Sequence, residues 1–180
     1  MRRSKHVLLL AAAGALIAAT VAVGAKIERP KTSDVSAAFT AAQTRANSHT
    51  CTEAGNTFRV TNAVWHGTST SSEPRLAGNL VIKTHAVLNE TTGDGWVSGT
   101  WRSRNPGVGS ASAHLAAVID NQNHLDGLAN GDVRGPHDRL LGNWSATIVA
   151  QTLSGELGAN TPVAPDNSAL LYRGGCRNGD

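Results

Sequence analysis

Cysteine, aromatic residues and charge are all scarce in this chain. Its 180 residues include two Cys, one Tyr, two Phe and four Trp, and only 16% are Asp, Glu, Lys or Arg. Each shortage excludes something. The two cysteines form no CxxC, which removes dithiol redox chemistry and the common zinc-ribbon spacings. No HExxH or comparable His spacing marks a metal centre. No GxSxG elbow presents a serine nucleophile. Glycine is dispersed through apolar–polar stretches instead of joining a strand to a helix, so no phosphate loop is present. Nothing in the sequence calls for a cofactor.

A long apolar run occurs once, at the start. Arg2, Arg3 and Lys5 precede an uninterrupted stretch from Val7 to Ala25 that ends Val23-Gly24-Ala25. A basic head, an apolar centre and small residues at its end are the pattern of a secretory signal. The same run approaches the length of a membrane helix, so a retained anchor is the alternative. In both cases the rest of the chain lies outside the membrane, and the N-terminal segment is its one expected membrane contact.

The segment also accounts for the net charge. It holds three of the 16 basic residues and none of the 13 acidic ones, so the remainder is formally neutral. A basic domain with clustered Lys and Arg, as nucleic-acid binding requires, is therefore absent, and no run of like charge follows Ala25. In an exported chain an even cysteine count reads as one disulfide, Cys51 to Cys176. It would close a loop of about 125 residues and stabilise by up to ~4–5 kcal/mol in the chain-entropy view.

Residues 26–50 read as a linker. Val35 and Phe39 are the only large apolar residues of 35–46, which suggests a short helix capped by Ser33 or Asp34 without a firm amphipathic face. From Thr57 onward the texture is that of short strands. Residues 57–66, 76–88, 95–104, 111–120, 124–133, 140–151 and 153–158 alternate or carry turn signals at their ends. A last short strand is expected at 169–172. Asn89 to Gly95 and Asp120 to Asn123 are turns. In 76–88, Leu76, Leu80, Ile82, Ala86 and Leu88 share one face, and Asn79, Lys83 and His85 the other. Gly78, Gly99, Gly127, Gly131, Gly142 and Gly155 punctuate strands, as at the bends of a small barrel. The expected fold is all-β: one antiparallel barrel, or barrel-like sandwich, of seven or eight strands over residues 51–180.

Several side chains are candidates for chemistry. Asn79, Lys83 and His85, with Trp65 and Trp96, could line a ligand pocket if the polar face of 76–88 turns inward; an ordinary one-sided strand would instead turn it to water. Trp96 and Trp101 differ in parity and should project from opposite faces, one of them into the core; Trp144 is a further core or pocket aromatic. His124 and Asp126 share a strand face, and His137-Asp138 follows in a loop, so an acid–base or metal pair is a second possibility. His49, His66 and His114 are scattered. Asn89 and Asn143 begin glycosylation sequons, but Asn143 falls in mid-strand, where a glycan would be awkward.

The stretches Ser71-Ser-Glu-Pro-Arg-Leu-Ala-Gly78, Asn89-Glu-Thr-Thr-Gly-Asp-Gly-Trp-Val-Ser-Gly99 and Leu140-Leu-Gly-Asn-Trp-Ser-Ala146 resemble a set of small actinobacterial exported proteins of the calycin or allene-oxide-cyclase-like barrel group. The resemblance spans about residues 57–158. It implies export and a barrel of about eight strands, and carries over no catalytic residue. The leading expectation is a non-enzymatic exported protein that binds a small apolar ligand or a cell-envelope component. The alternatives are an isomerase- or cyclase-like enzyme built on a buried His/Asp cluster, and an interaction module displayed from a retained N-terminal helix.

Overall fold

A computed structural model describes residues 34–133 and 138–158. Eight strands follow one another: β1 (Ser36–Glu53), β2 (Asn56–Ser71), β3 (Gly78–Asn89), β4 (Asp94–Asn105), β5 (Gly109–Asp120), β6 (His124–Val133), β7 (Arg139–Val149) and β8 (Thr152–Gly158). Each pairs antiparallel with the next, and β8 returns to β1 with Ser36 opposite Gly158 and Ala42 opposite Thr152, closing a barrel. Closure removes the exposed edges that an open meander would leave.

An eight-stranded barrel has an interior just wide enough for side chains to fill. Here Trp101, Trp144, Leu80, Ile82, Leu125, Leu153 and Leu157 are fully buried. The rings of Phe39 and Trp101 meet edge to face with centroids 4.9 Å apart, the favoured geometry for an aromatic pair. Small residues make room for the indoles. Trp101 stands opposite Ala113, and Ala113 opposite Gly131; Trp144 stands opposite Gly127. A Cβ added at Gly131 would collide with the carbonyl oxygen of Ser112, and one at Gly127 with that of Ala116. Gly99, Gly127, Gly131 and Gly155 therefore permit close approach of neighbouring backbones.

One end of the barrel is stoppered by residues 72–77. Leu76, expected at the start of a strand, sits instead in this loop and drops fully buried into the core. The two buried serines hold the loop: Ser69 Oγ donates to the carbonyl of Leu76 and Ser103 Oγ to that of Arg75, at 2.5 and 3.0 Å. Arg75 pairs with Glu73 and with Asp138, each at 2.7 Å. The guanidinium and backbone N–H of Arg75 hold the Glu73 carboxyl below the usual carboxylate range.

The linker expected over residues 26–50, with its short helix at 35–46, is corrected. β1 begins at Ser36, and Ala37, Phe39 and Ala41 face the core. Alanine serves a narrow barrel interior well but gives little apolar periodicity, which is why the stretch reads as helix. A register shift between Gln43 and Arg45 then reverses the alternation. Beyond it, β1 runs on in a ribbon with β2 past the end of β8. The other strands and both turns lie close to their expected positions. Asn89 Oδ1 caps its turn by accepting the N–H groups of Thr91 and Thr92, and Asp120 does so with Gln122 and His124. The export segment at 1–25, the strand at 169–172, His137 and Cys176 lie outside the described residues.

Candidate functional site

The barrel wall separates the residues first considered as a pocket. Trp65 points inward, 3% exposed, and its indole N–H donates to Thr84 Oγ1 at 3.1 Å. Asn79, Lys83 and His85 alternate with the core-facing Leu80, Ile82 and Ala86, and so lie on the outer surface. His85 Nδ1 is 2.9 Å from Asn62 Oδ1, and its ring lies 5.3 Å from that of Trp96 on the same outer face. No internal pocket can combine these five residues, because the strand that carries three of them turns its apolar side to the core. Trp101 is buried and Trp96 lies outside, as their parity requires.

The structure builds a different grouping across β6, β7 and β8. His124 is in register with Thr147, and Thr147 with Ser154; Asp126 is in register with Ser145, and Ser145 with Glu156. Strand neighbours sit about 4.8 Å apart, so two rows of three polar side chains form a patch on the outer wall. Their partners in alternation, Leu125, Ala146, Leu153 and Leu157, are buried. The patch is dished into a concavity of about 250 Å³ lined by these residues.

Chemically the concavity offers three hydroxyls, two carboxylates and one imidazole. Asp126 and Glu156 flank Ser145, a spacing that lets two acceptors converge on one donor-rich group. His124 is turned to the adjacent loop, where its Nδ1 lies 3.2 Å from Asp120 Oδ2. Burial pushes the Asp120 carboxyl up, but the N–H groups of His124 and Gln122 and the His124 ring outweigh it, holding the group below its ordinary range. Asp120 thus fixes the rim of the concavity and the orientation of the imidazole. Among the described residues no group of three His, Cys, Asp or Glu is placed to hold a metal ion.

His124 and Asp126 are therefore brought together on one face, as their two-residue spacing requires, while Asp138 is drawn away to Arg75. Ser145, Thr147, Ser154 and Glu156 complete the site and were not singled out from sequence. Alternation marks each as outward-facing, but only the strand register reveals that they are neighbours. Comparison with known proteins finds no matching family model, no similar curated protein and no similar solved structure.

Proposed function

We propose that this chain is an exported, non-enzymatic binding protein that takes a polar cell-envelope component on its outer wall, at the β6–β8 concavity. The reading includes the secretory role of residues 1–25, the Cys51–Cys176 disulfide and kinship with the calycin-like barrels. The observation that carries it is the contrast between an interior occupied by Trp101, Trp144, Phe39 and leucines and an outer concavity lined by His124, Asp126, Ser145, Thr147, Ser154 and Glu156. A barrel filled by its own side chains supports a binder of surfaces better than a carrier of small apolar ligands.

Hydroxyls and carboxylates without an aromatic floor suit a flexible partner rich in hydroxyl and amine groups, such as an amino-sugar polymer. The isomerase- or cyclase-like alternative draws less support. It needs a buried cluster, yet His85 and His124 sit on strands β3 and β6, both on the outside, and the His124 ring is engaged by Asp120.

Calorimetric titration of the mature chain with glucosamine oligomers and with their N-acetylated counterparts tests the proposal. Preferential, salt-sensitive binding of the amine form is expected, because exposed charge pairs are screened by salt. That binding should vanish in an Asp126→Asn/Glu156→Gln double variant. Binding unaffected by the double variant, no binding of either oligomer, or an apolar molecule retained in native mass spectrometry would each reject it.

A further inference from the structure

Charge is divided unevenly around the barrel. The acidic residues of β1–β5 are Glu53, Asp94 and Asp120, each at the end of its strand; β2 and β3 hold none. The same five strands carry Arg45, Arg59, Lys83, Arg102 and Arg104, and the register gathers four of these cations on the outer wall. Arg102 and Arg104 flank the buried Ser103, and Lys83 follows the buried Ile82. Arg45 stands opposite Val64, which lies between the core-facing Ala63 and Trp65, and Val64 stands opposite Lys83. Lys83 in turn stands opposite Thr100, two residues before Arg102. With strands about 4.8 Å apart and about 3.3 Å per residue, successive cations are roughly 7–10 Å apart. Arg45, Lys83, Arg102 and Arg104 thus form an exposed stripe that runs obliquely over β1–β4. The ion pairs among the described residues engage Arg59, Arg75 and Arg139 and leave these four without a carboxylate. Like charges held on neighbouring strands repel, so the stripe gains from an anion laid along it.

We infer that this cationic stripe binds a linear polyol phosphate, a chain of phosphodiesters that carries no bases. Charge complementarity and spacing favour this occupant. A lone phosphate can meet one or two of the four cations at these separations, whereas a chain of phosphates can meet them in turn. Three of the four are arginines, whose planar fork matches two phosphate oxygens at once. Thr100 lies opposite Lys83, and Ser112 opposite Arg102, placing hydroxyl donors beside the charges. A single-stranded nucleic acid is held by stacking on aromatic rings as well as by charge. The stripe offers it none: Trp65 and Trp101 face the core, and Trp96 lies two rows away against the His85 ring. Duplex DNA is read by a helix or a two-stranded ribbon set into a groove, and the stripe lies along a closed wall.

In the ring of eight strands β3 stands four places from β7, so the cationic stripe and the β6–β8 concavity occupy opposite walls. Their charges are opposite too: β6–β8 carry Asp126, Asp132 and Glu156 against a single cation, Arg139, which pairs with Asp132. A chain whose charges nearly balance in number therefore keeps them apart in space, and the field of each wall selects its own sign of partner. The stripe works without the concavity, and polymer binding here needs neither an amine-bearing ligand nor the carboxylates that would hold one.

Fluorescence anisotropy of labelled poly(glycerol phosphate), titrated with the protein over a range of salt, tests this assignment. With four phosphate contacts the logarithm of the affinity should fall against the logarithm of salt concentration with a slope of about −3. Lys83→Gln/Arg102→Gln should weaken binding by about tenfold or more and make the slope shallower by about 1.4. Arg59→Gln/Arg139→Gln removes the same charge from outside the stripe and should change the affinity by less than about threefold. Glucosamine-oligomer binding should survive Lys83→Gln/Arg102→Gln, so failure at one wall leaves the reading of the other standing. Equal losses in the two double variants would overturn the inference, because net charge alone would then account for the attraction. It would also be overturned by no binding of the polymer, by tighter binding of a single-stranded oligothymidylate of equal charge, or by binding confined to vesicles of anionic phospholipid.

Discussion

The inner and outer surfaces of this barrel are built from alternating residues of the same strands, yet they follow different rules. Inside, size decides: large indoles face glycine and alanine, and a single added carbon at Gly131 meets backbone. Outside, two unlike patches occupy different parts of the wall, a hydroxyl- and carboxylate-bearing concavity on β6–β8 and an apolar cluster on β2–β4. The difference teaches that the interior specifies the fold and leaves the outer wall free to carry recognition.

Breaking the interior should therefore cost far more stability than altering the wall. Trp144→Ala removes the largest kind of side chain from a fully buried position and should lower unfolding free energy by about 3–5 kcal/mol in urea titration. Gly131→Ala should cost about 1–3 kcal/mol by overpacking, with the same assay showing an earlier midpoint. A milder loss, about 1 kcal/mol, is expected for Ser103→Ala, which leaves the Arg75 carbonyl without its donor.

The stopper adds a pH dependence. Because Glu73 is held below the usual carboxylate range in the folded chain, its contribution is complete above the unfolded value. It fades as pH falls through that range and below. Acid unfolding of Glu73→Gln should show a shallower loss than the parent over that window. Smallest in stability are the wall substitutions. Asp126→Asn and Glu156→Gln should each lower the unfolding free energy by no more than about 0.5 kcal/mol, although together they should abolish the proposed oligomer binding. A large destabilisation by either would mean that the concavity is a structural network.

Much of this division was legible in the sequence. The alternation of Leu80, Ile82 and Ala86 with Asn79, Lys83 and His85 identifies both faces of β3, and the opposite parity of Trp96 and Trp101 separates one wall residue from one core residue. β1 was not legible, because Ala37 and Ala41 fill a narrow interior without producing a strong apolar period. Nor could sequence assemble the concavity. Asp126, Ser145 and Glu156 become neighbours only through the β6–β7–β8 register, a long-range property that no local pattern encodes. Phe58 and Val60 show a related ambiguity. They alternate as core residues would, but with the parity opposite to Trp65, so part of the apolar signal of β2 belongs to the outside.

Among the described residues the indole N–H groups of Trp101 and Trp144 are buried without a hydrogen-bond partner, which makes them reporters of the interior. Two-dimensional nitrogen–proton NMR of the protein, titrated with glucosamine oligomers, therefore tests the outer-wall account most directly. The account predicts shifts at the amides of Asp126, Ser145, Thr147 and Glu156 with both indole signals unmoved. Movement of the Trp101 and Trp144 indole signals with a silent β6–β8 face would contradict it and place the ligand inside the barrel.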